Sequence, residues 1–170
     1  LCAEWGFSAA IGDLLFDAGQ TGIAADNADL LGLGPFETIV LSHGHYDHTK
    51  GLPPFLVDAD TMYCHPDAFE PKYHDEEFIG MPYTRPWIES QVAITTHREP
   101  IEVAQGIYAL GEIPREYADS RTGEMFDESG QRVADPVRDD QALVVETAGG
   151  ISIVLGCCHA GLRNTIVHAE

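Results

Sequence analysis

The segment HGHYDH, residues 43–48, restricts what this chain can fold into more than any other part of the sequence. Three histidines and one aspartate stand within six residues, in a chain that holds eight histidines in all. Residues 39–41 (Ile-Val-Leu) precede the segment and have the apolar, mostly β-branched character of the end of a buried strand. The fold must therefore bring a buried strand to an edge where this polar loop can leave the sheet.

The spacing of the four side chains suits metal binding. In a near-extended loop, His43 and His45 are two residues apart and point to the same side, so two neutral imidazoles can reach one cation. Asp47 and His48 are adjacent and diverge, so they could serve a second cation about 3.5–4 Å from the first, as in two-metal hydrolases. Gly44 allows the loop to approach the ions closely. The alternative, a polar surface loop that happens to be rich in histidine, is disfavoured by this order of residues.

Composition limits the class of protein and its partners. The chain has 170 residues, 44% of them apolar, which suits one domain spanning residues 1–170 with a core of its own. The formal net charge of −19 repels nucleic acid and anionic membranes, so neither is expected as a partner. With no long apolar run and no secretion signal, the sequence predicts a cytoplasmic protein. The four cysteines lack CxxC spacing and are expected to be reduced thiols.

Apolar runs separated by turn residues predict a mixed α/β (α+β) fold. Strands are predicted at residues 4–11, 14–16, 37–41, 61–64, 93–96, 101–103, 107–110, 141–147 and 151–155, with a hairpin at Gly12-Asp13. Helices are predicted at residues 24–31, 47–57 with a break at Pro53-Pro54, and 161–169. Two segments, 68–87 and 114–139, show little regular period and are predicted to be long loops.

Two motifs resemble a known family. LFDAG at residues 15–19, followed by HGHYDH, is similar to the metallo-β-lactamase superfamily of metal-dependent hydrolases. The resemblance implies an αββα sandwich and one or two divalent ions, with zinc expected and manganese or iron as alternatives. It also implies that Asp17 orients the imidazoles without binding metal itself. GEIPRE (111–116), DDQALVVET (139–147) and LGCCHAGLRNTI (155–166) resemble a narrower branch, named for 7,8-dihydropterin-6-methyl-4-(β-D-ribofuranosyl)aminobenzene-5′-phosphate synthase.

Further ligand candidates lie where the sequence departs from the superfamily pattern. His159 follows the strand at 151–155 through a turn of small residues and is the fifth ligand candidate. The superfamily ends this strand in Gly-Asp and has a His before the hairpin, whereas this chain has Gly156-Cys157 and Asp139-Asp140. Either Cys157 and Asp140 replace the usual ligands, or His159 takes a site by a shifted geometry. A thiolate ligand would favour zinc.

The superfamily also places a final His ligand on a strand that would follow residue 169. The resemblance therefore leads us to expect a fold truncated at its C-terminus, with a site completed by a longer chain or by a partner subunit in a homo-oligomer. A catalytic zinc usually has about three protein ligands. Two ions would need about six protein ligands at that number, and the sequence offers five candidates. One ion is therefore predicted to bind firmly and a second weakly.

Four side chains are candidates for substrate binding. Arg115 and Arg163 suit bidentate recognition of an oxyanion such as phosphate, although surface ion pairs with nearby acids explain them equally well. Lys50 directly follows the metal loop and could have the same role. His65 ends the strand at 61–64 on the expected edge of the ligand loop, where a strand-end His without a functional role is the more frequent case.

Together these motifs predict an enzyme, a metal-dependent hydrolase. In it a metal-activated water, oriented by Asp47, attacks an ester, phosphodiester or amide centre of a small molecule. The resemblance to the narrower branch suggests a pterin- or phosphate-linked substrate. Two alternatives stay open: a di-iron redox or metal-binding module, of a kind that the superfamily also contains, and an inactive remnant that keeps the fold.

Overall fold

A five-stranded sheet delivers the HGHYDH loop in the computed structural model, which describes residues 1–126 and 129–170. In chain order, the strands are β1 (Ala9–Ile11), β2 (Leu14–Phe16), β3 (Thr38–Val40), β4 (Thr61–Cys64), β5 (Tyr73–His74), β6 (Glu77–Phe78), β7 (Ala93–Thr96), β8 (Ile101–Ala104), β9 (Ile107–Ala109), β10 (Gly123–Phe126), β11 (Arg132–Asp135), β12 (Ala142–Thr147) and β13 (Gly150–Leu155). The α-helices are α1 (Ile23–Leu31), α2 (Tyr46–Thr49), α3 (Arg85–Glu89) and α4 (Leu162–Ala169).

The first sheet has the order β1-β2-β3-β4-β7, and all of its strands except β1 are parallel. The predicted hairpin is confirmed, because Ile11 pairs with Leu14 across Gly12-Asp13. Parallel strands end at one edge of a sheet, and here that edge carries the segments that follow β2, β3, β4 and β7. The HGHYDH loop follows β3, the central strand of the five.

Both faces of the first sheet are covered. Successive side chains of a strand point to opposite faces, and all three residues of β2 are buried. Leu15 belongs to the apolar cluster formed with α1 and the 3-10 turn Phe55–Val57, whereas Leu14 and Phe16 pack against a second large sheet. The sequence LLF is therefore a strand that is buried on both sides.

The second large sheet, of order β13-β12-β9-β8, is antiparallel. Leu143 and Ile107 pack on the first sheet, and Val144 faces the opposite way, in a cluster that Ala169 of α4 joins. The layers thus follow the order helix, sheet, sheet, helix. This is the predicted αββα sandwich.

The prediction of a long loop at residues 114–139 is wrong for part of that segment. β10 and β11 pair there as an antiparallel hairpin, and β10 also pairs with β5, which forms a third, four-stranded sheet of order β11-β10-β5-β6. The predicted loop at 68–87 likewise contains the β5–β6 hairpin and the first residues of α3. These strands are short and mostly polar and do not show the regular apolar alternation that predicts a strand, so the sequence pattern missed them.

Other predicted elements differ in length. The strand predicted at 4–11 is regular only over Ala9–Ile11, and the helix predicted at 47–57 consists of α2 and the 3-10 turn Phe55–Val57. No helix in the described ranges has the length and apolar character needed to cross a membrane. All four cysteines, which lie in the described ranges, are free thiols.

Candidate metal centre

The HGHYDH loop is held against the carboxyl edge of the first sheet. The Asp17 amide, directly after β2, donates to the Val40 carbonyl, and the Leu41 amide donates to the Tyr63 carbonyl of β4. Asp17 has a φ of 60°, a left-handed conformation that Asp tolerates better than most residues. The strand ends thus bring Asp17 and the His loop together at one edge.

Three imidazoles converge at this edge. His43 and His45 are buried, with Nε2 of His43 2.9 Å from Nδ1 of His45. The centre of the His159 ring lies 4.9 Å from the centre of the His43 ring and 5.0 Å from that of the His45 ring. One ring nitrogen from each of the three lies within 4.8 Å of the others. The structure therefore places the fifth ligand candidate beside the first two.

The polar atoms of these rings fit a metal ion. Nε2 of His45 and both ring nitrogens of His159 are buried and have no hydrogen-bond partner among the described residues. Buried polar groups left in this state are costly and need an explanation. Two nitrogens bound to one tetrahedral zinc at about 2.0–2.1 Å would lie about 3.3 Å apart, close to the separation of the nearest pair here. A cation at this point would take one nitrogen from each ring, including one of the two unpartnered nitrogens of His159.

A second group of ligand atoms adjoins the first. Nε2 of His48 lies 3.1 Å from Sγ of Cys157 and 3.6 Å from a carboxylate oxygen of Asp47. His43, His48 and Cys157 also bring one potential ligand atom each within 4.8 Å of one another. The ligands offered here are an imidazole, a thiol and a carboxylate, a mixed set that suits zinc.

Electrostatics favours the neutral, metal-binding form of three rings. Burial, followed by the neighbouring His48, lowers the pKa of His43 well below its usual value. Burial and the adjacent His159 lower the pKa of His45 to about 3, and burial with the nearby His48 lowers that of His159. Burial also acts against the charged form of His48, but the Asp17 carboxylate outweighs it and raises the pKa of His48 to about 11.

Asp17 holds the loop through three hydrogen bonds. Its carboxylate accepts from the Ser42 amide at 2.7 Å and from the Ser42 hydroxyl at 2.6 Å, and it lies 2.7 Å from Nδ1 of His48. Ser42 Oγ is also 2.8 Å from Nδ1 of His43. Asp17 therefore reaches His48 directly and His43 through Ser42, and it leaves Nε2 of both rings directed to the centre. This geometry suits the supporting role implied by the family resemblance.

Asp140 lies behind the His159 turn and outside both three-residue groups. Its Oδ2 accepts from the Ala160 amide at 2.8 Å, while Oδ1 has no partner among the described residues. Burial raises the pKa of Asp140 to about 6, although its bonds to the amides of Ala160 and His159 act in the opposite direction. The structure thus favours Cys157 over Asp140 as a neighbour of the imidazoles.

The four candidates for substrate binding are spread over the structure. His65 is buried, accepts from the Asp67 amide and lies 2.9 Å from Arg98 Nη1. Arg115 donates to the carbonyls of Ile113 and Val137. Arg163 is exposed, and its guanidinium lies 3.6 Å from the centre of the Tyr117 ring. Lys50 is exposed at the end of α2. Substrate binding by these residues stays a prediction.

Sequence reasoning missed three contributors to this region: Ser42, Lys72 and Asp139. The Asp139 carboxylate accepts from the Gly44 amide at 2.7 Å across 95 positions of sequence and lies 3.2 Å from Lys72 Nζ. The Asp139-Asp140 pair ahead of a buried strand was a usable signal. A lysine in a polar, irregular segment gave none.

The fold and the clustered ligand candidates define a class, the αββα proteins with a candidate metal site at the edge of the sandwich. The metallo-beta-lactamase superfamily pattern matches residues 12–155. The chain belongs to the metallo-beta-lactamase superfamily, whose members are generally metal-dependent hydrolases.

Two relatives come from Methanocaldococcus jannaschii. The uncharacterized protein MJ0448 is 34% identical over 99% of this chain and 68% of its own length. The 7,8-dihydropterin-6-methyl-4-(beta-D-ribofuranosyl)-aminobenzene-5'-phosphate synthase is 30% identical over 82% of this chain. This chain covers 53% of that synthase, about half of its length.

Solved structures agree on the fold. The crystal structure of Tm1679, a metal-dependent hydrolase of the beta-lactamase superfamily, superposes with a TM-score of 0.82 at 28% identity. The alignment covers 96% of this chain and 63% of that one, so this chain spans less than two thirds of Tm1679. Zinc-bound PqqB from Methylobacterium extorquens is 14% identical over 86% of this chain and 50% of its own, with a TM-score of 0.50, a likeness of fold alone.

Proposed function

We propose that this protein is a metal-dependent hydrolase that acts on an ester or phosphodiester of a small molecule. The observation that carries the proposal is the cluster of His43, His45 and His159. One ring nitrogen from each converges with the other two, and both nitrogens of the His159 ring have no partner among the described residues. A purely structural role would leave the His159 nitrogen that faces the cluster unsatisfied, at a cost of about 1–3 kcal/mol.

The residues divide into two ligand sets. His43, His45 and His159 would hold one ion. His48, Cys157 and Asp47 would contribute to a second, in which a thiolate favours zinc over manganese or iron. When bound, such ions supply Lewis acidity, which lowers the pKa of a water molecule and polarises the scissile oxygen.

Asp47 is the proposed proton acceptor of the reaction. Its side chain is 14% exposed, so it can meet both the ligand cluster and the solvent. In this position the carboxylate can hold the attacking water by a hydrogen bond and take its proton. Asp17 fixes the Nδ1 side of the His48 ring, so that only Nε2 faces the reacting groups.

The substrate is proposed to be pterin- or phosphate-linked. The synthase relative supports this class, since its name describes a pterin joined to a ribofuranosyl phosphate. Because that relative is a synthase, bond formation is the second candidate for the reaction. We further propose that the protein works in the cytoplasm without nucleic-acid or membrane partners. A homo-oligomer could contribute a further ligand.

Asp47→Asn is expected to abolish most of the metal-dependent hydrolysis of an aryl phosphodiester such as bis(p-nitrophenyl) phosphate. Loss of a positioned proton acceptor typically costs about 10²–10⁴-fold in rate. The measurement is the release of nitrophenolate by the zinc- or manganese-loaded protein. Metal content is determined in parallel, so that a lost ion is not mistaken for a lost base. Asp58→Asn, which alters an exposed carboxylate outside both ligand sets, serves as the control and is expected to keep the parent rate.

Two results would contradict this proposal. Parent-like hydrolysis by Asp47→Asn would remove Asp47 from the mechanism. Absence of hydrolysis by zinc- and manganese-loaded protein, together with tightly bound iron and a visible absorption band, would favour the redox module over the hydrolase.

A further inference from the structure

A buried ion pair lies directly behind the metal loop. Lys72 and Asp139 are 2% and 1% exposed, and Lys72 Nζ is 3.2 Å from Asp139 Oδ2. Lys72 Nζ also donates to the Asp67 carbonyl at 3.1 Å. Lysine and aspartate are almost never buried to this degree unless they are paired, so each depends on the other for its place in the interior.

The Asp139 carboxylate also binds the main chain of the HGHYDH loop. Asp139 Oδ2, the oxygen that pairs with Lys72, accepts a hydrogen bond from the Gly44 amide at 2.7 Å. Gly44 stands between His43 and His45, and a Cβ at this position would overlap the Ala68 carbonyl. The Gly44 peptide is therefore confined between the Ala68 backbone on one side and the Asp139 carboxylate on the other.

A second contact ties the loop to the strand segment that begins at Lys72. The Ile79 amide donates to the Lys72 carbonyl, and the Ile79 carbonyl accepts the Tyr46 amide at 2.9 Å. The segment from Lys72 to Ile79, which carries the β5–β6 hairpin, thus contacts the loop directly at Tyr46 and is linked to Gly44 through Asp139. These two loop residues flank His45.

We propose that Lys72 is a positioning residue of the metal centre. Through Asp139 it fixes the Gly44 peptide, and so it sets the separation of His43 and His45 on which the proposed function rests. Without Lys72, the Asp139 carboxylate would be a buried charge with no cation. It would then draw in water or move outward, and either change weakens its hold on Gly44.

Lys72→Met is expected to weaken binding of cobalt, used as a visible probe of the centre, by about tenfold or more. It is also expected to change the d–d absorption of the bound cobalt, because the two imidazoles are no longer held at their normal separation. A role limited to general stability would lower the melting temperature and leave that spectrum unchanged. Arg85→Ala, which breaks an exposed ion pair with Glu89, is the matched control and should retain the parent affinity and spectrum.

Two double variants separate the charge from the contact. Lys72→Met/Asp139→Asn removes both charges but keeps a side-chain oxygen for the Gly44 amide. Lys72→Met/Asp139→Leu is equally uncharged and lacks that oxygen. We expect the first to bind cobalt with close to the parent affinity and spectrum, and the second to bind about tenfold more weakly or worse. If Lys72→Met alone does not fold, the comparison of the two double variants still tests whether the Asp139 oxygen positions the HGHYDH loop.

The outcomes distinguish this inference from the proposed function. Cobalt binding by the parent with equal affinities and spectra in both double variants would overturn the role of Lys72 and Asp139 and leave the metal centre intact. A parent that binds neither cobalt nor zinc would overturn both.

Discussion

His43→Ala combined with His45→Ala is expected to remove most of the bound zinc and to lower the melting temperature of the zinc-loaded protein. The double variant eliminates two of the three converging imidazoles. An ion that binds only the folded state stabilises it by about 2.7 kcal/mol when its free concentration is 100 times the Kd. At about 2–4 °C per kcal/mol for a chain of this size, the loss corresponds to roughly 5–11 °C. Metal content by mass spectrometry and melting with and without zinc provide the measurement.

His74→Ala is the control for this experiment, because the His74 side chain is 79% exposed and belongs to neither ligand group. It should retain the parent zinc content and the parent zinc-induced rise in melting temperature. An unchanged zinc content in the His43/His45 double variant would show that the HGHYDH loop is not the metal site.

Asp17→Ala should destabilise the fold and weaken metal binding at the same time. The substitution leaves the Ser42 amide, the Ser42 hydroxyl and His48 Nδ1 without their shared acceptor in a fully buried place. Removing one partner of a buried ion pair costs about 3–5 kcal/mol of unfolding free energy. Loss of a group that orients ligands weakens metal affinity about 10–100-fold. Urea unfolding of the metal-free protein and zinc competition assays measure the two effects separately.

Asp13→Ala, in the exposed turn between β1 and β2, is the matched control and is expected to change neither quantity appreciably. If Asp17→Ala bound zinc as tightly as the parent, Asp17 would be an ordinary buried carboxylate at a strand end. The Asp17–Ser42–His43 connection would then have no part in shaping the centre.

Local signals made much of the fold predictable. The apolar runs within β2, β3 and β12 predict buried strands, and Gly12-Asp13 predicts the tight hairpin between β1 and β2. Gly32 ends α1 in the left-handed conformation that glycine adopts without strain. Ligand spacing in HGHYDH was informative for the same reason, since two-residue separations on an extended loop depend on local geometry alone.

Contacts between distant segments could not be predicted in this way. β10 and β11 pair with each other, and β10 also pairs with β5, about 50 residues earlier. Their mostly polar sequences carry no period that predicts this pairing. The proximity of Cys157 to His48 spans 109 positions, and the bond from Gly44 to Asp139 spans 95. Such contacts depend on how the two large sheets stack. Asp127 and Glu128, which belong to the segment predicted to be a long loop, lie outside the described residues.

Zinc titration into the metal-free protein, followed by calorimetry, tests the central claim most directly. We expect one tight site, formed by His43, His45 and His159, followed by a second, weaker site that Cys157→Ser weakens further. Because a thiol must lose its proton to bind zinc, the second event should release more protons in the parent than in the variant. Absence of zinc binding would contradict the account, and so would two equally tight sites that Cys157→Ser leaves unchanged.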